Sequence, residues 1–246
     1  MTIDKVRRNM LKTSSAGIIA TAFGTTTAQA QSQAMGAANL QINAFHVEHE
    51  LKPLAFKSSL LDGLSARLID SHWANNYGGS VRALNTVNKR LAEALAATDT
   101  PAFIYNDLKR EHLMRTGSVI LHEYYFDNLG GDGKAPASVR SLLAASFGDF
   151  NRWETEYRKI GAGLGGGAGW VVLAYNRHFE VLENYWMADH MHSPADSVPL
   201  LVMDMYEHSY QMDYGSATAR YIDAFFSNIN WDEVMLRIEA LARTAK

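Results

Sequence analysis

The stretch VPLLVMDMYEHSY, residues 198–210, constrains the fold of this chain more than any other. It begins as an apolar run, which predicts a buried strand, and ends with Asp204, Glu207 and His208. A carboxylate and an imidazole carried into the interior are costly unless another group compensates their charge. The fold must therefore supply a partner to Asp204 and His208.

Two further histidines stand where a helix would bury them. His72 lies three residues after Ile69 on an apolar-periodic face, and His122 follows the apolar run SVIL. Burial favours the neutral imidazole, which is the form that binds metal. The chain has no cysteine, so thiolate ligands and disulfides are excluded. The pattern favours a His/carboxylate site for Fe, Mn, Zn or another first-row ion, the alternative being that each histidine is a hydrogen-bonded core group.

The order of the predicted elements indicates an α+β fold. Helical periodicity runs from about 54 to 98, with a possible break at NNYGGS (75–80), and from about 103 to 128. The glycine-rich NLGGDGKAP (128–136) predicts a boundary between an N-terminal helical hairpin, residues 31–128, and a C-terminal α/β domain, residues 129–246. In the second domain we predict two helices, a three-stranded antiparallel sheet and two closing helices. The sheet is predicted at GWVVLAY, FEVLENYW and PLLVMD.

The first thirty residues have the pattern of an export signal. Arg7 and Arg8 precede a modest apolar stretch, and TTTAQA ends at Ala30 with the small residues of a cleavage site. The apolar stretch is far shorter than the roughly 20 residues of a spanning helix. We therefore predict a twin-arginine signal peptide over residues 1–30 and a periplasmic mature protein, the alternative being an unprocessed N-terminal anchor.

Net charge excludes some partners. The whole chain carries −3, and the signal holds four basic residues against one acidic residue, so the mature chain carries −6. A mildly acidic protein has no electrostatic reason to bind nucleic acid or an anionic membrane. We expect neither partner after signal removal.

Beyond these local patterns, the sequence resembles the iron/manganese superoxide dismutases over about residues 40–244. The most specific stretch is Asp204-Met-Tyr-Glu-His208-Ser-Tyr210, which is similar to the D-x-W-E-H-x-Y signature of that family. Further matches in the same order are LSARLIDSHW, VILHEYYF, LGGDGKAP, GAGWVVL and INWDEV. The family fold is a long helical hairpin followed by an α/β domain with a three-stranded antiparallel sheet, as the local patterns also predict.

The resemblance implies the composition of the metal site. It implies one Fe or Mn ion per subunit, with a bound solvent, held by four ligands: His72, His122, Asp204 and His208. Glu207 matches a glutamate that reaches across a homodimer to the metal-ligand histidine of the partner, and Trp170 matches an aromatic wall. The substrate implied is superoxide, which is converted to dioxygen and hydrogen peroxide as the ion cycles between 3+ and 2+.

Several residues around the implied site depart from the family. Ser80 stands where the family usually has a gateway tyrosine, and Asn76 stands where it usually has a histidine. Gln211 replaces the tyrosine that pairs with that histidine across the dimer, so Asn76 and Gln211 could form an amide–amide hydrogen bond. Tyr77 is a candidate to reach the entrance in place of the lost tyrosine.

Other departures concern the aromatic wall and the group that contacts the bound solvent. Tyr206 and Phe126 replace tryptophans. For the outer-sphere group we predict His190, with His192 as the alternative because the length of the MADHMHSP loop leaves both open.

The implied activity is that of a superoxide dismutase. Two alternatives remain: a protein of the same fold whose opened entrance serves peroxidase or oxidase chemistry, and a metal-binding protein without turnover. Imidazole and carboxylate ligands bind both Fe and Mn, so the ligand set does not identify the metal.

Overall fold

The computed structural model describes residues 45–244. The predicted signal, residues 1–30, lies outside the described residues, as do residues 31–44 at the start of the predicted N-terminal domain. From Phe45 to Ser65 the chain has little regular structure apart from a 3₁₀ turn at Ser58–Leu60. The first long helix therefore begins later than the periodicity predicts. Its cap is Ser65, whose hydroxyl accepts a hydrogen bond from the backbone N–H of Leu68.

The first long helix has three parts. They are α1 (Ala66–Ser71), a π-helical segment (His72–Tyr77) and α2 (Gly78–Ala96). The sequence predicts a possible break at residues 75–80. The helix instead continues through this region, with the π-helical segment in place of a break. Segments of this kind are frequent at functional sites, because the extra residue per turn re-aims side chains. Here the segment begins at His72.

The remaining helices confirm the predicted α+β organisation. A short turn leads into α3 (Ala102–Asp127), which packs antiparallel to α2 as the second arm of the hairpin. The other helices are α4 (Ala137–Phe147), α5 (Phe150–Leu164), α6 (Gln211–Tyr214), α7 (Thr218–Ser227) and α8 (Trp231–Thr244). The first of the two predicted closing helices is divided into α6 and α7 by a turn that follows Tyr214. Among the described residues, none of the helices combines the length and hydropathy needed to cross a membrane.

The three-stranded antiparallel sheet is also confirmed. Its strands are β1 (Trp170–Asn176), β2 (Val181–Met187) and β3 (Ser197–Asp204), in the order β2-β1-β3. Strand β1 is buried along its whole length, and Pro199 is accommodated because β3 is an edge strand. In the register of β1 and β3, Trp170 pairs with Asp204, so both side chains lie at the same end of the sheet. Helix α3 packs against β3 and brings its buried face to that end.

Candidate metal centre

Four side chains from three parts of the fold converge at the end of β3. These side chains belong to His72, His122, Asp204 and His208. Each offers one ligand atom, and the four atoms all lie within 4.8 Å of one another. The Oδ2 atom of Asp204 is 3.2 Å from the Nε2 of His72, 3.7 Å from that of His122 and 3.3 Å from that of His208. The structure thus brings together all four residues that the sequence selected as ligands.

The backbone around Asp204 fixes the position of its carboxylate. Oδ1 accepts a hydrogen bond of 2.8 Å from the backbone N–H of Tyr206. The carbonyl oxygen of Asp204 accepts hydrogen bonds from the Tyr221 hydroxyl at 2.6 Å and the Ser209 hydroxyl at 2.9 Å. Oδ2 is therefore left to face the three imidazoles.

The charge states at neutral pH follow from burial. Desolvation lowers the pKa of His72, against the opposing attraction of Asp204, and it lowers the pKa of His122 to about 3. Burial by itself would raise the pKa of Asp204, but the electrostatic attraction of His208 and the hydrogen bond to its ring outweigh burial and hold that pKa below the usual range. The buried rings are thus neutral and the carboxylate is ionised.

A bound cation fits the polar atoms that this cluster leaves without partners. Both ring nitrogens of His72 and the Nε2 of His122 are buried and make no hydrogen bond among the described residues. Buried polar groups are normally satisfied, so such orphan atoms require an explanation. A metal ion satisfies the lone pairs of the two Nε2 atoms that face Asp204 and compensates the buried carboxylate. Imidazole with carboxylate is a donor set suited to Fe or Mn.

His122 is oriented by the turn of helix that precedes it. Its Nδ1 is 2.7 Å from the carbonyl oxygen of Ser118. A carbonyl oxygen only accepts, so Nδ1 carries the proton and Nε2 presents its lone pair to the cluster. Ser118 lies four residues before His122, and this helical spacing is the signal by which the sequence could have identified its role.

His190 occupies the position beside the cluster, and His192 does not. The indole N–H of Trp170 donates to the Nδ1 of His190 at 3.0 Å, and the ring of His190 stacks on Tyr206 with centroids 4.7 Å apart. Burial lowers the pKa of His190, so its ring is neutral and the proton stands on Nε2. His192 instead pairs with Asp189 at 2.9 Å and is largely exposed.

Aromatic side chains surround the imidazoles. The ring of Phe126 is 5.0 Å from that of His72, and Trp170 meets the ring of His122 edge-on at 5.1 Å. Tyr206 stacks on His208 at 5.3 Å, and burial raises its pKa to about 12. This wall keeps bulk water away from the cluster on the sides that it covers.

A cavity of about 380 Å³ opens onto the cluster. Its lining includes Ser80 and Asn76 from the first long helix, with His190 and His208 from the C-terminal half. Arg115 and Ser118 line it from α3, and the sequence analysis did not select either as a site residue. Two of the four candidate ligands, His122 and His208, line the cavity, so it is the candidate entrance for a small molecule.

The expectation that Tyr77 reaches this entrance is wrong. Its side chain is buried and is not part of the cavity lining. The Tyr77 hydroxyl donates to Oε1 of Glu123 at 3.0 Å and accepts from the backbone N–H of Lys52 at 3.1 Å, and burial raises its pKa to about 12. The hydroxyl of Tyr77 therefore faces Lys52 and Glu123, and its ring stacks on that of His122 with the centroids 6.2 Å apart.

Comparison with known proteins points to one family. Residues 135–237 match the family described as iron/manganese superoxide dismutases, C-terminal domain. A superoxide dismutase [Fe] of Cupriavidus metallidurans is 47% identical over 195 residues, which cover 79% of this chain and 98% of the relative. A superoxide dismutase [Fe] of Aquifex pyrophilus is 31% identical over 78% of this chain and 92% of its own length. A superoxide dismutase [Mn] of Halobacterium salinarum is 30% identical over 79% of this chain and 97% of its own length.

Proposed function

The chain belongs to the iron/manganese superoxide dismutase family, and from this premise we propose that it is an exported, homodimeric member whose four clustered side chains hold the metal. The protein is a metal-dependent superoxide dismutase that uses Fe or Mn, one ion per subunit. The observation that carries the assignment of the ligands is the approach of four ligand atoms to within 4.8 Å of one another. Metal analysis of the purified protein and of ligand variants tests that assignment.

When bound, the ion would supply electron transfer through its 3+ and 2+ states, by which two superoxide ions and two protons become dioxygen and hydrogen peroxide. The residues of the chain hold and shape the site for this reaction. His72 and His122 present neutral rings, and Asp204 contributes the negative charge that favours a cation. His190 lines the cavity and, with its proton on Nε2, has a hydrogen-bond donor. The wall formed by Trp170 and the other aromatic rings excludes water.

Support for a homodimer comes from the exposure of His208. Three of the four candidate ligands are buried, whereas the side chain of His208 is 27% exposed, beside the exposed Glu207. Among the described residues, the Nδ1 of His208 makes no hydrogen bond. In a homodimer, the second copy of the chain would cover the His208 ring, and the Glu207 carboxylate of that copy would accept a hydrogen bond from the Nδ1–H of His208. The amides of Asn76 and Gln211 form no side-chain hydrogen bond in the described chain, and we propose that they meet across the same interface.

Replacing Glu207 with alanine is expected to weaken the dimer by about a thousand-fold. Two symmetric charge-assisted hydrogen bonds would be lost, each contributing roughly 2 kcal/mol. Sedimentation analysis over a range of protein concentrations measures the change. The matched control is Glu239→Ala, which removes an exposed glutamate from α8. A Glu207→Ala protein that dimerises as strongly as this control would exclude the proposed interface.

The proposal of export is supported by the arginine pair and the small residues at the end of the first thirty residues. The match to the 47% identical relative covers 98% of that protein but only 79% of this chain. About a fifth of this chain is thus unmatched, which leaves room for a segment that the relative lacks. We expect the mature protein in the periplasm, shorter than the full chain by the signal.

Changing both Arg7 and Arg8 to lysine should stop this export, because the twin-arginine route reads the pair itself and not its charge. Cell fractionation followed by mass spectrometry should find the unprocessed chain in the cytoplasm. Lys5→Gln, which changes a basic residue outside the pair, serves as the control and should be exported and cleaved. Normal processing of the double variant would refute this route.

A further inference from the structure

The loop between β2 and β3 must hold His190 in one orientation. Every other residue that lines the entrance cavity of about 380 Å³ belongs to a helical segment, whereas His190 belongs to this loop. Loops are in general more mobile than the elements that they connect. The His190 ring nevertheless makes two specific contacts, a hydrogen bond of 3.0 Å from the indole of Trp170 and a stack on Tyr206. Both contacts require a fixed backbone at His190.

The carboxylate of Asp189 closes a turn around His190. Its Oδ1 accepts a hydrogen bond of 2.7 Å from the backbone N–H of Met191. A hydrogen bond from an aspartate side chain to the N–H two residues later forms an Asx turn, and His190 is the central residue of this turn. The Asp189 carboxylate therefore fixes the backbone from which the His190 ring projects.

The hydrogen bond to Met191 acts on His190 more directly than the other contact of the same carboxylate. Oδ1 of Asp189 is also 2.9 Å from the Nδ1 of His192, but that side chain is 57% exposed, so solvent screens the pair and it contributes little. Burial by itself would raise the pKa of Asp189, but the hydrogen bonds from Met191 and His192 outweigh burial and lower that pKa. The turn is thus closed by an ionised acceptor, which makes a stronger hydrogen bond than a neutral one.

Helix α3 supports the opposite side of the turn. A Cβ added at Gly117 would clash with the carbonyl oxygen of His190, so the glycine permits a close approach of the two backbones. The His190 backbone is therefore held by a side-chain hydrogen bond on one side and by packing on the other.

We propose that Asp189 is the positioning residue of His190, and that its hydrogen bond to the N–H of Met191 holds the imidazole against Trp170 and Tyr206. Asp189 does not line the entrance cavity, so it acts through His190 and not on the substrate. The inference rests on the proposed function for its consequence in catalysis, because a fixed ring presents its Nε2–H to the cavity in one orientation.

Diethyl pyrocarbonate reports the position of His190, because this reagent modifies the unprotonated nitrogen of a neutral imidazole. In the native protein that nitrogen is Nδ1, which accepts the hydrogen bond from Trp170. The rate of modification is measured by mass spectrometry on the Fe-loaded protein, with the exposed His178 as internal reference. Asp189→Ala should raise the rate at His190 about ten-fold and lower superoxide consumption by a similar factor, as expected for the loss of one hydrogen bond to a charged group.

Two further variants at the same position separate the hydrogen bond from the charge. Asp189→Asn keeps the acceptor oxygen that closes the turn, and its modification rate and activity should remain close to those of the native protein. Asp189→Glu keeps the charge but displaces it by one methylene group, so it should behave like Asp189→Ala. Asp132→Ala is the matched control, because the Oδ1 of Asp132 accepts a hydrogen bond of the same kind from the N–H of Lys134 at 2.9 Å. It should change neither quantity.

The outcomes separate a positioning role from a general role in stability. An activity loss in Asp189→Ala with an unchanged modification rate at His190 would overturn the inference, as would an Asp189→Glu protein that matches the native protein in both quantities. If Asp189→Ala does not fold, the comparison of the asparagine and glutamate variants decides. A native protein without superoxide consumption would refute the proposed function, which is a distinct failure because the modification rate does not depend on turnover.

Discussion

Replacing His122 with alanine should remove stoichiometric Fe or Mn from the protein and lower its superoxide-consuming activity by roughly a thousand-fold or more. The Nε2 of this ring is buried, makes no hydrogen bond among the described residues and lies 3.7 Å from the carboxylate of Asp204. Its proton is held on the opposite nitrogen by the carbonyl oxygen of Ser118.

The measurement is metal content per subunit by mass spectrometry, together with superoxide decay in stopped flow. His192→Ala is the matched control, because that imidazole is largely exposed, pairs with Asp189 and does not line the cavity. Circular dichroism of both variants separates loss of the ion from loss of the fold. A folded His122→Ala protein that keeps one ion per subunit would contradict the assigned ligand set.

A second large effect is expected from a single methyl group on α3. A Cβ added at Gly117 would lie 1.8 Å from the carbonyl oxygen of His190 and 2.9 Å from its carbonyl carbon. Both of these are backbone atoms, so a side-chain rotation cannot relieve the clash. The loop that holds His190 against Trp170 must move, and the hydrogen bond of 3.0 Å between their rings is lost with it. Gly117→Ala should therefore destabilise the protein by about 2 kcal/mol and lower the activity at least ten-fold.

Gly163→Ala provides the matched control for this prediction. Gly163 is also helical, in α5, and an added Cβ meets no atom within 4 Å. Alanine is the better helix former, so this change should leave stability equal or raise it by up to about 1 kcal/mol. Urea unfolding and superoxide decay are compared for the two variants. Equal stability and activity would show that the contact between α3 and the His190 loop is not needed.

The sequence predicts the long elements well because each carries a strong local pattern. The predicted helix over about 103–128 is found at Ala102–Asp127, and the predicted strand PLLVMD lies within β3. The start of the first long helix is predicted poorly, because apolar residues before Ser65 imitate helical spacing. Leu60 is among them, yet it is 77% exposed, in a segment held by bends and a 3₁₀ turn.

In the candidate site, too, some residues could be predicted from the sequence and others could not. The four candidate ligands could be selected from the sequence, because burial of titratable groups in apolar runs and the family signature point to the same positions. The placement of Tyr77 could not be predicted, because it depends on the π-helical segment and on Glu123, which lies 46 residues away in the sequence. The hydroxyl of Tyr221, which holds the backbone of Asp204, has no local signal either.

The central claim is that the four clustered side chains hold one Fe or Mn ion that dismutates superoxide. The most direct test is superoxide decay in stopped flow, measured on protein preparations of increasing Fe or Mn content. The rate should rise in proportion to bound metal up to one ion per subunit, fall to background on metal removal and return on reloading. A fully loaded protein that consumes superoxide no faster than the same concentration of free metal would contradict the claim.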